Sequence, residues 1–228
     1  MNTTDSYAVP ELLAETDWLA ANLSNPDVRI IDARSEDKYD AGHIAEAINL
    51  TNAPWDVEST DPADFAEILS SHGISDQHVV VCYDDLGPPA ARLWWVLSYY
   101  GLSTARFLNG GITKWMQEGR AITSEKPNFP QTTFKVQVMP NLLCSLDNAK
   151  AGVDNPNTVF WDTRLEGEYT GEISRGNAPG RVGHIPGAAH LEWNTLVESD
   201  SQTIKPANEV QAILEAHGMT PDKEIFTY

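Results

Sequence analysis

Basic residues are scarce: Lys and Arg total 15 against 33 Asp and Glu, a formal net charge of −18 over 228 residues. Such an acidic surface repels a phosphate backbone and an anionic lipid face alike, which argues against nucleic acid and membrane as partners. Cysteine is rarer still. Cys82 and Cys144 stand alone, too few for the disulfide framework of a secreted domain. No apolar run approaches the roughly 18 residues of a membrane-crossing helix. The opening Met1-Asn2-Thr3-Thr4-Asp5-Ser6 lacks the basic and apolar regions of a signal peptide. These absences lead to the expectation of a cytoplasmic protein in a reducing compartment. The six His are scattered, without a Cys or His neighbour at ligand spacing, so neither a metal nor another cofactor is expected. Gly110-Gly111 is an isolated pair that reads as a tight turn rather than a phosphate loop.

What is present suits a globular α/β protein. Hydrophobic residues make up 41% of the chain and seven Trp are among them, ample for a buried core. The length accommodates two modest domains, and the chain repeats itself. Val28-Arg29-Ile30-Ile31-Asp32-Ala33-Arg34 is echoed by Thr158-Val159-Phe160-Trp161-Asp162-Thr163-Arg164 at an offset of 130, which Leu13/Leu143 and Asp17/Asp147 share. Gly42-His43-Ile44 through Ala47 returns as Gly183-His184-Ile185 through Ala188, and His72-Gly73-Ile74-Ser75 as His217-Gly218-Met219-Thr220. The strand Val79-Val80-Val81-Cys82-Tyr83 returns as Glu224-Ile225-Phe226-Thr227-Tyr228. The second copy carries an insertion in the Gly- and Pro-bearing stretch 171–180, read as a loop. Short apolar runs between helical segments predict a mostly parallel sheet flanked by helices in each copy. The boundaries are placed at 1–125, a linker at 126–140 around Pro127 and Pro130, and 141–228.

Three pieces recur in fixed order: Asp-x-Arg at a strand end, the Gly-His-Ile turn, and, in the first copy, Ala90-Ala91-Arg92-Leu93-Trp94-Trp95 followed by Phe107-Leu108-Asn109-Gly110-Gly111. In that order they resemble the rhodanese family, over nearly the whole chain. The resemblance implies two tandem rhodanese-like α/β domains that move sulfur from a small-molecule donor to an acceptor. It also implies a nucleophilic cysteine at the start of a tight loop just after the fourth strand, where backbone N–H groups and a helix N-terminus stabilise a thiolate.

The internal alignment puts that position at Asp84 in the first copy and immediately after Tyr228 in the second. A carboxylate cannot carry a sulfane sulfur, so the first domain is expected to be degenerate and the second catalytic. A protein longer by roughly forty to sixty residues is expected, since otherwise the second sheet keeps uncovered apolar edges. Cys82, inside an apolar strand, and Cys144, aligned with Ala14, are read as inert. Asp32, Arg34, His43, Asp162 and His184 are read as structural clamps, with Arg164 also a substrate-binding residue able to hold oxyanions. Asp84, Asp85, Pro88 and Pro89 make the first loop a poor anion site. Trp94, Trp95 and Trp115 read as packing residues, and Arg175 and Arg181 as solvated or overhanging the second cleft. The activity implied is thiosulfate sulfurtransfer through a persulfide to cyanide or a thiol. The alternatives are 3-mercaptopyruvate sulfurtransfer, a non-catalytic binding or regulatory module, and a phosphatase or arsenate reductase on the same scaffold.

Overall fold

Runs of β-branched and aromatic residues too short for helices become parallel strands, and the segments between them wind into helices that cover the sheets. The structure is a computed structural model and describes residues 6–51, 56–85, 87–174 and 182–228. It divides into two units. The first is 9–143 with 200–203; the second is 144–199 and 204–228 with the described part of 1–8.

In the first unit the strands are β1 (Leu13–Ala14), β2 (Val28–Asp32), β3 (Ala47–Asn49), β4 (Val79–Tyr83) and β5 (Ala105–Leu108). They form one parallel sheet of order β1-β5-β4-β2-β3. The helices are α1 (Thr16–Asn22), α2 (Glu36–Ala41), α3 (Pro62–Ser71), α4 (Pro88–Tyr99) and α5 (Gly111–Gln117). Every residue of β2 is buried, because the sheet is covered on both faces and a strand buried on both sides has no polar face to present. Ile31, Val80 and Cys82 pack with Phe65 and Leu69 of α3 and Leu93 and Leu97 of α4. Ile30, Val81 and Tyr83 face the other way, with Leu19 of α1 and Trp115 of α5. Trp94 and Trp95 are partly buried against the first of these clusters.

The segment expected as a linker differs from that expectation. Residues 126–140 are extended but held to the first unit: Phe134 is buried, Phe129 and Val136 pack on the α3/α4 cluster, and Gln137 N–H donates to the Tyr100 carbonyl at 3.1 Å. Prolines stop helix there, yet the interspersed aromatic and β-branched residues still find a core. The second surprise is that 200–203, counted with the second copy by sequence, belongs to the first unit.

The second unit contains α6 (Leu146–Gly152), β6 (Thr158–Asp162), α7 (Glu166–Thr170), β7 (Ala189–His190), α8 (Ala207–Ala216) and β8 (Glu224–Thr227). Its parallel sheet has the order β7-β6-β8, the counterpart of β3-β2-β4. Phe160 of β6 is buried and lies 5.7 Å from the Phe226 ring. Among the described residues this sheet has no counterpart of β1 or β5. No helix among them is long and apolar enough to cross a membrane, and no three metal-binding side chains converge. Arg175 and Arg181 lie outside the described residues.

Candidate active site

The carboxyl ends of parallel strands are where open α/β sheets bind ligands, and both Asp-x-Arg motifs end there. In the first unit Asp32 is fully buried and receives Arg34 from three sides: the backbone N–H at 2.9 Å, Nε at 3.0 Å and Nη2 at 2.6 Å. Nη2 also donates to the Gly42 carbonyl at 2.8 Å, tying the clamp to the Gly-His-Ile turn. Tyr83 completes it. Its hydroxyl donates to Asp32 Oδ2 at 2.7 Å and accepts from Ile44 N–H at 3.1 Å. Burial, then the neighbouring Asp32 carboxylate, pushes the Tyr83 phenol well up. Burial opposes the charge on Arg34, but the bonds to Asp32 outweigh it and raise its pKa. His43 is buried, stacked on Tyr39 at 3.8 Å, with Nδ1 2.9 Å from the Tyr39 carbonyl.

The second unit repeats this geometry with its side chains more exposed. Asp162 is also fully buried and accepts from Arg164 N–H at 3.0 Å, Nε at 2.9 Å and Nη2 at 2.6 Å; Nη2 reaches the Gly183 carbonyl at 2.9 Å. Tyr228 stands where Tyr83 does, its hydroxyl accepting from Ile185 N–H at 3.0 Å and bonding Asp162. His184 stacks on Tyr169 at 3.7 Å with Nδ1 2.7 Å from its carbonyl, but is exposed where His43 is buried. Arg164 keeps 32% of its side chain exposed against 8% for Arg34. Tyr39 and Tyr169, which the stacked imidazoles lie on, were not singled out from sequence. They lie four and fifteen residues before their histidines, a spacing that the insertion hides.

Burial raises the Asp162 pKa, but the hydrogen bonds from Arg164 and Tyr228 win and hold its carboxyl below the usual range. A depressed folded-state pKa means stability that is present above the unfolded value of about 3.9 and lost as pH falls through the folded one. The difference in unfolding free energy between the wild type and Asp162→Asn should therefore be full near neutrality and shrink below about pH 4. Denaturant titrations at several pH values check this; a constant difference would exclude the charge as its source.

Asp84, at the position corresponding to the residue after Tyr228, is buried, and its carboxylate accepts from the N–H groups of Gly87 and Ala90, the latter at 2.8 Å. Pro88 and Pro89 fall between the two donors, so the loop still gathers amides around a negative charge, and the charge is the chain's own. The cavity beside it, lined by Asp84, Gly87, Gly111 and Gln202, is about 10 Å³, room for about one water. By contrast, Arg164, Gly183, His184, Ile185 and Tyr228 line an open space of about 390 Å³. Neither thiol lies at these loops. Cys82 is buried in the sheet, where desolvation, then the charge of Asp84, pushes its pKa far up. Burial, then Glu224, also raises that of Cys144.

Parallel sheets flanked by helices, with an Asp-x-Arg clamp at the carboxyl end of a strand in each unit, define an α/β protein that carries the same strand-end motif twice. Residues 15–118 match the family model for the rhodanese-like domain. Over 243 aligned residues the chain is 34% identical to the sulfur carrier protein TtuD of Thermus thermophilus, covering 97% of this chain and 83% of that protein. It is 29% identical to the thiosulfate sulfurtransferase of Azotobacter vinelandii, covering 98% of this chain and 84% of the relative. The crystal structure of SseA from Escherichia coli, described among 3-mercaptopyruvate sulfotransferases, is similar at a TM-score of 0.83 and 26% identity, over 95% of this chain and 87% of that one. The chain belongs to the rhodanese family of sulfurtransferases.

Proposed function

We propose that the second unit is the catalytic domain of a tandem thiosulfate sulfurtransferase and the first its non-catalytic companion, with the nucleophilic cysteine immediately after Tyr228. The observation that carries this is the shared place of Tyr83 and Tyr228. Asp32 pairs with Tyr83 across β2 and β4, Trp161 with Thr227 across β6 and β8, and each tyrosine hydroxyl accepts from the Ile N–H of its Gly-His-Ile turn. The residue after Tyr228 therefore corresponds to Asp84, whose loop holds an anion through backbone amides.

A cysteine thiolate there attacks the outer sulfur of thiosulfate. The S–S bond breaks, sulfite leaves with its electron pair, and the enzyme keeps a persulfide. Cyanide or a thiolate then takes the terminal sulfur and regenerates the cysteine thiolate. Arg164, a third exposed beside the open space, is placed to attract the sulfonate oxygens while its fork holds Asp162. On this reading domain 1 includes the extended segment 126–140 that packs on it, and domain 2 follows that segment. The likeness to SseA favours 3-mercaptopyruvate as the second reading for the donor.

The test is thiocyanate formation from thiosulfate and cyanide by the gene product continued past Tyr228. Transfer that disappears on replacing the next cysteine by serine, and that leaves the mass of one added sulfur on that cysteine when acceptor is withheld, is the expected result. The chain ending at Tyr228 should form no thiocyanate. Turnover with 3-mercaptopyruvate alone moves the donor to the second reading, and a residue other than cysteine after Tyr228 ends the catalytic one.

A further inference from the structure

The two clamps share their main bonds, but beside them Thr163 and His190 stand where the first unit has Ala33 and Asn49. Resting on the catalytic reading of the second unit, we propose that Thr163 and His190 are positioning residues: they brace the end of β8 and so aim the nucleophile that follows it.

Thr163 is the middle residue of Asp-x-Arg. Its backbone N–H donates to the Tyr228 main-chain oxygen at 3.0 Å and its hydroxyl donates to the same oxygen at 2.8 Å. In the first unit Ala33 offers only the N–H, at 2.9 Å from the Tyr83 carbonyl. The main-chain oxygen of the residue that precedes the proposed nucleophile thus has a second donor that the Asp84-bearing unit lacks. A peptide plane held by two donors has less freedom to rotate about the bond that sets the direction of the next residue. Sulfur transfer depends on that direction, since the thiolate must meet the outer sulfur in line and at contact distance.

His190 holds the other side of the same turn. It sits on β7 opposite Asp162, where Asn49 sits opposite Asp32. The Asn49 amide donates to two carbonyls, those of Asp32 at 3.0 Å and Arg34 at 2.9 Å. His190 reaches one, with Nε2 2.9 Å from the Arg164 carbonyl, and gains its rigidity elsewhere. Its ring lies 4.5 Å from Tyr169 at an interplanar angle of 16°, and Tyr169 is itself stacked on His184. Trp193 N–H closes the turn on the Thr163 carbonyl at 3.3 Å. The Arg164-Leu165 peptide is therefore held by a histidine on one flank while the threonine grips Tyr228 on the other.

The experiment uses the gene product continued past Tyr228, with Thr163→Val, Thr163→Ser and His190→Asn, assayed for thiocyanate formation and thermal midpoint. Valine keeps the branched shape and removes the hydroxyl. The expected result is a kcat lower by about fivefold to tenfold, the worth of one lost hydrogen bond, with KM for thiosulfate unchanged. Serine should restore kcat. His190→Asn, which installs the residue of the first unit, should lower kcat by a similar factor. An active wild type whose valine and asparagine variants keep full kcat overturns the brace, and so does a loss that serine fails to rescue or that tracks the thermal midpoint alone. An inactive wild type overturns the catalytic reading itself and the brace's role with it.

Discussion

Replacing Asp32 by alanine is expected to destabilise the first unit by about 3–5 kcal/mol, the usual cost of stripping one partner from a buried ion pair. Arg34 is only 8% exposed in its side chain, and three of its donors, backbone N–H, Nε and Nη2, end on the Asp32 carboxylate. Removing that carboxylate leaves a guanidinium with the Gly42 carbonyl and little water, and leaves the Tyr83 hydroxyl without its acceptor. The fall in thermal midpoint should be on the order of 10 °C, and hydrogen exchange should show it in the β2 and β4 amides. The same change at Asp162 serves as the internal comparison. Arg164 is 32% exposed, so water replaces much of what it loses, and Asp162→Ala should cost clearly less. Adding Arg34→Met to Asp32→Ala should recover part of the loss, since no unpaired charge is then left buried. Equal costs at the two clamps would mean that exposure of the arginine does not set the energetics.

The clamps were legible in the sequence because their partners are two residues apart and the apolar run before them fixes which strand end they occupy. Arg34 and Arg164 cannot avoid Asp32 and Asp162 once the strands form. The repeat also carried the register: the offset that aligns Tyr83 with Tyr228 in sequence places both hydroxyls on the N–H of Ile44 and Ile185 in space. What stayed hidden depends on contacts that no period encodes. Tyr83 meets Asp32 across 51 residues, and Phe134 reaches the α3/α4 core from a stretch that its prolines mark as a linker. The bonding of the Asp84 carboxylate was hidden too, because counting prolines counts lost donors but not the direction of those that remain, here Gly87 and Ala90.

Gly111→Ala is expected to be the most damaging single-methyl change in the first unit. Two glycines near α5 share a left-handed backbone, Gly111 at φ +53° and Gly119 at φ +71°, so alanine at either pays a conformational penalty of about 1–2 kcal/mol. Their surroundings separate them. Around Gly119 there is nothing within 4 Å of an added Cβ, whereas at Gly111 the Cβ falls 2.2 Å from the backbone carbonyl oxygen of Asp84. That oxygen cannot swing aside like a side-chain tip, because it accepts the Ile112 N–H at 2.9 Å and belongs to the residue whose carboxylate organises the loop. Relief requires the start of α5 and the Asp84 peptide to separate, a backbone shift that adds about 1–3 kcal/mol. Denaturant unfolding of the two variants should therefore differ by about that amount at similar m-values. Should Gly111→Ala prove no worse than Gly119→Ala, the close seating of α5 on the Asp84 loop would be disproved, and with it the tight packing that leaves the first unit's loop closed to any anion but its own.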